Sequence, residues 1–215
     1  MTASSNGSVR AVVFDFGGVI ITPITDALTE IAGWHGVDMT RMLDVLMGPR
    51  ETSTRDHPWH RAERGELAIA EMQDAVDPWA RDADISLRGD EYERLLRGDF
   101  DVHTEVVECI ASLRSDGYRT GLLTNSLREF RPHLAATVDL ELFDAVVDSS
   151  EVGARKPESA IFELTTERIG VDASAILYLD DFAANVAAAD AAGWTTIHIT
   201  GRDMILPAIE VALAG

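Results

Sequence analysis

Asp15, Thr124, Lys156 and the adjacent pair Asp180–Asp181 are the side chains of this 215-residue chain whose types and surroundings point to shared chemistry. They sit in four short signals at the ends of apolar runs: VVFDFGGVI (12–20), GLLTNS (121–126), RKPE (155–158) and LYLDD (177–181). Each signal places a polar or ionisable group where a buried strand should leave a parallel sheet, the edge at which open α/β sheets bind ligands. One carboxylate, one hydroxyl, one ammonium and an acidic pair are the parts needed to attack a phosphoryl group beside a magnesium ion. A carboxylate such as Asp15 can attack phosphorus and so split one hard displacement into two easier ones. Two adjacent acids are unfavourable without a cation, and Mg²⁺ takes hard oxygen ligands. Structural readings stand beside these. An Asp that ends a strand also serves ordinary turns, and Thr-Asn also begins them. The acidic pair could cap a helix over 182–192, and Lys156 could be a solvated surface lysine.

Around these signals the sequence predicts the elements that must hold them. VRAVVFD (9–15) is β-branched, apolar on both faces and ended by a glycine pair, as a buried strand should be. From about Pro23 to Asp101 the texture is helical, with formers at Asp26–Trp34, Met39–Met47, Glu66–Val76 and Glu91–Leu96 and breakers between them. From residue 102 helix and strand alternate: helix 102–115, strand 118–124, helix 127–136, strand 144–148, helix 158–169, strand 175–180, helix 182–192, strand 194–199. A short closing helix covers Met204–Leu213. That alternation argues an α/β, doubly wound parallel sheet. The expected organisation is a core from residues 1–22 and 101–215, with a helical cap from 23–100 inserted after the first strand. The cap segment RDHPWHRAERGE brings His57, Trp59 and His60 together, either facing a substrate or as a packed Trp with solvated histidines.

Composition narrows the partners. Acids outnumber bases 37 to 18, a net charge of −19, which repels nucleic acid and anionic lipid. Any phosphate site must therefore be built locally. The single cysteine, Cys109, excludes an internal disulfide and falls on a helical stripe with Val102, Val106, Ile110 and Leu113, as a small buried hydrophobe does. MTASSNGSVR lacks the apolar segment of a secretory signal, and no run approaches the ~18 apolar residues of a membrane span. The expectation is a cytoplasmic protein, monomer or homodimer.

The four motifs, in this order and with a helical stretch after the first, resemble the haloacid dehalogenase (HAD) superfamily of hydrolases with a helical C1-type cap. The resemblance covers Val9 to Thr200. LYLDDFAANVAAADAAG, RKPESAIF and RGELAIAEM are similar to the phosphatase domain of soluble epoxide hydrolases and to bacterial sugar-phosphate phosphatases of the same branch. The resemblance implies an Asp15 nucleophile and an aspartyl-phosphate intermediate on a small phosphorylated metabolite. It implies Mg²⁺ held by Asp15, the main-chain carbonyl of Gly17 and Asp181, with Asp180 beside it or joined through water. Thr124, the Asn125 N–H and Lys156 would hold the phosphoryl oxygens, Lys156 as an electrostatic clamp. Asn185, one turn after Asp181, would support the metal shell or else serve packing or face solvent, and Arg155 either joins the site or is only a surface charge.

The family pattern is broken at Gly17, where a second Asp usually protonates the leaving oxygen and then activates water. Such acid–base help is worth roughly 10²–10⁴ in rate. His60 and Asp56 of the cap are the candidates to supply it, His60 also as a substrate contact. Two other functions follow from the same gap. A metal-free 2-haloacid dehalogenase uses a lone Asp nucleophile, but has no evident use for Asp180–Asp181 together. A catalytically silent binding protein of the same fold has only Gly17 in its support.

Overall fold

The computed structural model describes residues 8–49, 56–96 and 100–214; the N-terminal positions on which the absence of a signal sequence rests lie outside them. Five parallel strands form one sheet: β1 (Ala11–Phe14), β2 (Arg119–Thr124), β3 (Ala145–Asp148), β4 (Ile176–Asp180) and β5 (Thr195–His198), in the order β3-β2-β1-β4-β5. The order reverses at β1, so its carboxyl end opens on the crevice where such sheets bind ligands. β1 is buried along its whole length, because a central parallel strand has both faces covered. Its alternate residues feed two cores. Val12 and Phe14 pack with Val106, Ile110, Ile205 and Ile209 on one face, while Ala11 and Val13 pack with Ile161, Phe162, Tyr178 and Trp194 on the other.

Between β1 and β2 the described residues form five helices, α1 (Thr25–His35), α2 (Met39–Leu46), α3 (Pro58–Glu63), α4 (Met72–Asp82) and α5 (Glu91–Leu96), before α6 (Thr104–Ser115) returns to the sheet. The five enclose a core of their own, built on Leu28, Ile31, Met42, Leu46, Met72, Val76 and Leu95. The chain enters and leaves this cap side by side. Thr22 N–H donates to the Asp101 carbonyl (3.0 Å) and His103 N–H to that of Ile20 (2.8 Å), while the His103 ring Nδ1 lies 2.8 Å from the Val19 carbonyl. The rest of the sheet domain carries α7 (Arg131–Thr137), α8 (Ser149–Val152), α9 (Ser159–Ile169), α10 (Ala183–Ala191) and α11 (Ile205–Ala214). Among the described residues no helix is long and apolar enough to cross a membrane. Cys109 is half-buried against the sheet core, and burial with Glu210 nearby raises its pKa.

Two expectations for the cap need correction. The helix predicted at Glu66–Val76 begins only at Met72, after a tight turn at Ile69–Glu71, and runs on through Pro78 to Asp82. An interior proline costs about 3 kcal/mol. Burying Met72 and Val76 on the inner face returns roughly 1.5–3 kcal/mol each, enough to carry the helix past it. α3 was not expected, since Pro58 reads as a breaker. Pro58 instead occupies the first turn, where its missing N–H is no loss. His57 caps the helix, its Nδ1 accepting from the Trp59 N–H at 3.1 Å.

Candidate active site

Asp15 follows β1 directly, and Asp180 ends β4 beside it, with Asp181 next. Lys156 lies between them, its Nζ 2.7 Å from Asp15 Oδ1 and 2.7 Å from Asp180 Oδ2, with the side chain almost wholly buried. Asp15 Oδ1 also accepts from the Phe16 N–H at 2.7 Å. Among the described residues no hydrogen bond engages the other Asp15 oxygen, and it is left for a ligand. Burial raises the Asp15 pKa well above the carboxylate range; Lys156 pulls it back, and Asp180 and Asp181 push it up again. Burial alone would discharge Lys156, but Asp15 and Asp180 outweigh it and raise its pKa, so the ammonium stays charged.

Asp180 has no exposed surface. Beyond Lys156 it accepts from the Tyr178 hydroxyl, from the Phe182 N–H at 2.7 Å and from Asn185 Nδ2 at 3.0–3.1 Å. Asn185 thus reaches the site through Asp180. The second member of the acidic pair is placed differently: Asp181 lines the cavity above Asp15 and is packed against Gly18. A Cβ at Gly18 would lie 2.3 Å from Asp181 Oδ2, and its φ of +73° also favours glycine. Gly17 differs on both points. Nothing lies within 4 Å of a Cβ built there, and its backbone is outside the left-handed region.

Lys156 is anchored through its backbone as well. The Asn125 side chain pairs with that peptide, Oδ1 accepting from Lys156 N–H (2.8 Å) and Nδ2 donating to its carbonyl (2.9 Å). Ser126 N–H donates to Ser149 Oγ (2.9 Å) and ties the loop after β2 to α8. Thr124 is buried at the end of β2, and its hydroxyl makes only a long contact with the Asn125 carbonyl (3.4 Å). The helix behind Lys156 starts at Ser159, so Pro157 stands ahead of its first turn rather than within it.

Whether Mg²⁺ fits can be judged from the donors. Asp15, Asp180 and Asp181 each present a carboxylate oxygen, all within 4.8 Å of one another. Three carboxylates face one ammonium in a largely buried site. A divalent cation with hard oxygen ligands is what such an excess of negative charge accepts.

Asp15, Gly17, Thr124, Asn125, Lys156, Asp181 and Asn185 line one cavity of about 140 Å³ between core and cap. The cap candidates for acid–base work are not among its walls. His60 is buried inside the cap beside His57, with ring centroids 5.6 Å apart. Asp56 pairs with Arg64 at 2.7 Å. The cavity instead meets Trp59 and Glu63, one turn apart on α3. Glu63 accepts from Trp59 Nε1 (2.8 Å) and from Arg155 Nε (2.5 Å). Arg155 is therefore no surface charge: it is 4% exposed, in a buried ion pair joining cap to core. Arg64 and Glu158 form a second such link at 3.1 Å. A signal for this pairing exists only in the neighbourhood of Lys156, since the partners are 92 residues apart.

Acyl-CoA dehydrogenase family member 10 of Mus musculus is 28% identical over 222 residues, covering 99% of this chain; the chain spans only 20% of that protein. The sesquiterpene phosphatase astK of Aspergillus oryzae is 25% identical, with 89% of this chain and 90% of that protein covered. In structure, a predicted HAD-like hydrolase from Porphyromonas gingivalis superposes with a TM-score of 0.68 at 24% identity, covering 97% of this chain and all of that one. A HAD family enzyme from Bacteroides thetaiotaomicron, solved with magnesium and inorganic phosphate, gives 0.61 at 20% identity, covering 89% and 94%. The haloacid dehalogenase-like hydrolase family matches residues 9–193, and this chain, with its parallel sheet and helical cap, belongs to it.

Proposed function

We propose that this hydrolase is a Mg²⁺-dependent phosphatase of small phosphate monoesters, acting through an aspartyl-phosphate, with residues 1–22 and 101–215 as catalytic core and 23–100 as cap. The observation that carries the reading is Lys156, held by Asp180 against Asp15, with Asp181 lining the same cavity. The magnesium complex of the B. thetaiotaomicron enzyme and the phosphatase named among the relatives support it.

In this reading the unengaged oxygen of Asp15 attacks phosphorus, the P–O ester bond breaks, and the alcohol oxygen leaves with the bonding pair. Water then attacks the acyl phosphate, releasing inorganic phosphate and restoring the carboxylate. Lys156 neutralises the phosphoryl oxygens in both steps. The Thr124 hydroxyl and the Asn125 backbone N–H donate to them. Mg²⁺, held by Asp15, Asp181 and the Gly17 carbonyl, supplies charge neutralisation at the phosphoryl group. Asp180 contributes from behind, by fixing Lys156. No side chain at Gly17 protonates the leaving oxygen.

Against a metal-free dehalogenase, Asp181 is the deciding residue. Asp180 has a use in either enzyme, because Lys156 needs a partner. Phosphate release from p-nitrophenyl phosphate and acetyl phosphate, with Mg²⁺ and with EDTA, tests the proposal. Turnover should require the metal and fall below a few per cent in Asp15→Asn, whose amide keeps the shape and loses the nucleophile. Full activity in EDTA, or in Asp15→Asn, would overturn it.

A further inference from the structure

Resting on the phosphatase reading, we infer that the substrate is the phosphate monoester of an apolar alcohol, a short hydrocarbon chain or a single ring, rather than of a sugar or polyol. Beyond Asp15, Thr124, Lys156 and Asp181, the cavity runs between Ile24, Met47, Trp59 and Leu95 of the cap and Leu127 and Phe130 of the core. Among the described residues few polar side chains interrupt that wall, and most already have partners. The Trp59 N–H is given to Glu63, and Glu63 is held by Arg155. Thr22 Oγ1 accepts from the Asp101 N–H. Ser126 and His133 remain, neither of them in the cap.

A sugar phosphate would press several hydroxyls against this carbon surface. Each hydroxyl buried without a partner weakens binding by roughly 5- to 150-fold. A hydrocarbon gains there what a hydroxyl loses, since leaving water is favourable in proportion to apolar area. The size of the chamber matters too. Its volume of about 140 Å³, close to that of a cavity which takes one benzene ring, also has to hold the phosphoryl group. The wall should therefore meet the first roughly four to six carbons, and a longer chain should gain no more.

The test uses the Mg²⁺-loaded wild type and esters of primary alcohols only, so that the leaving oxygen is chemically alike throughout. The series is n-alkyl phosphates from ethyl to octyl, benzyl phosphate, glucose 6-phosphate and glycerol 3-phosphate. kcat/KM should rise roughly fourfold per methylene, level off near four to six carbons, and exceed the two polyol esters by about a hundredfold or more. A flat response to chain length, or polyol esters turned over as well as hexyl phosphate, overturns this inference and leaves the phosphatase standing. No phosphate release from any ester, p-nitrophenyl phosphate included, overturns the phosphatase and this inference with it.

Discussion

Asp180 and Asp181 are neighbours in sequence with separate duties. Asp180 accepts from a lysine, a tyrosine, an asparagine and a backbone N–H without touching solvent, so it fixes Lys156 as well as standing within reach of Asp15 and Asp181. Asp181 lies in the cavity wall. Gly18 is needed because Asp181 fills the space its Cβ would take, whereas Gly17 is free of both crowding and positive φ. Gly17→Asp should therefore fold normally. It should also raise kcat for alkyl phosphates by up to ~10²–10⁴, and much less for aryl or acyl phosphates, whose leaving groups need no proton. Equal gains across all three ester types would show that the new carboxylate acts otherwise than as an acid. The residues at the strand ends were legible in the sequence because a strand's end is a local signal: an apolar run, then a polar residue. The Asn125 side-chain clamp on the Lys156 backbone was not, since it joins positions 31 apart and leaves no mark on either local pattern. His60 illustrates the opposite failure. The sequence placed it correctly in a cluster with His57, but which face of a short helix meets the cavity depends on packing.

At the level of elements, α3 is the piece that ties cap to core. It carries Trp59 and Glu63 to the cavity, and Glu63 meets Arg155 in a pair whose side chains are about 3% and 5% exposed. Removing one member of a buried pair leaves the other charge uncompensated, at a cost of about 3–5 kcal/mol. Glu63→Gln should lower unfolding stability in urea by about that amount. The double substitution Glu63→Gln with Arg155→Met should recover most of it; a double variant as unstable as the single one would deny the pair any direct coupling. Neither partner was legible as paired, and α3 itself was hidden by Pro58 and by a histidine in the capping place usually held by Ser, Thr, Asp or Asn. The strand–helix alternation after residue 102 was legible apart from the single turn α8, because the burial that creates it recurs along the chain.

Across the whole molecule, a net charge of −19 and a site with three carboxylates to one ammonium both favour a divalent cation. If Mg²⁺ binds the folded chain, it stabilises that chain by about 2.7 kcal/mol at a hundred times Kd, roughly 5–10 °C in Tm for a protein of this size. Wild type should show this shift in calorimetry, and Asp181→Ala only a small fraction of it. An equal shift in both would remove Asp181 from the metal site without reference to activity. The turn from Arg155 to Glu158 has a further consequence for the order of events. Arg155 and Glu158 grip the cap, through Glu63 and Arg64, while Lys156 between them is bolted to the core by Asn125 and Asp180. In the proposed phosphatase, breaking these two links would free the cap and leave Lys156 beside Asp15. The turn would then act as an escapement, letting the alcohol go while the phosphoryl group is still held.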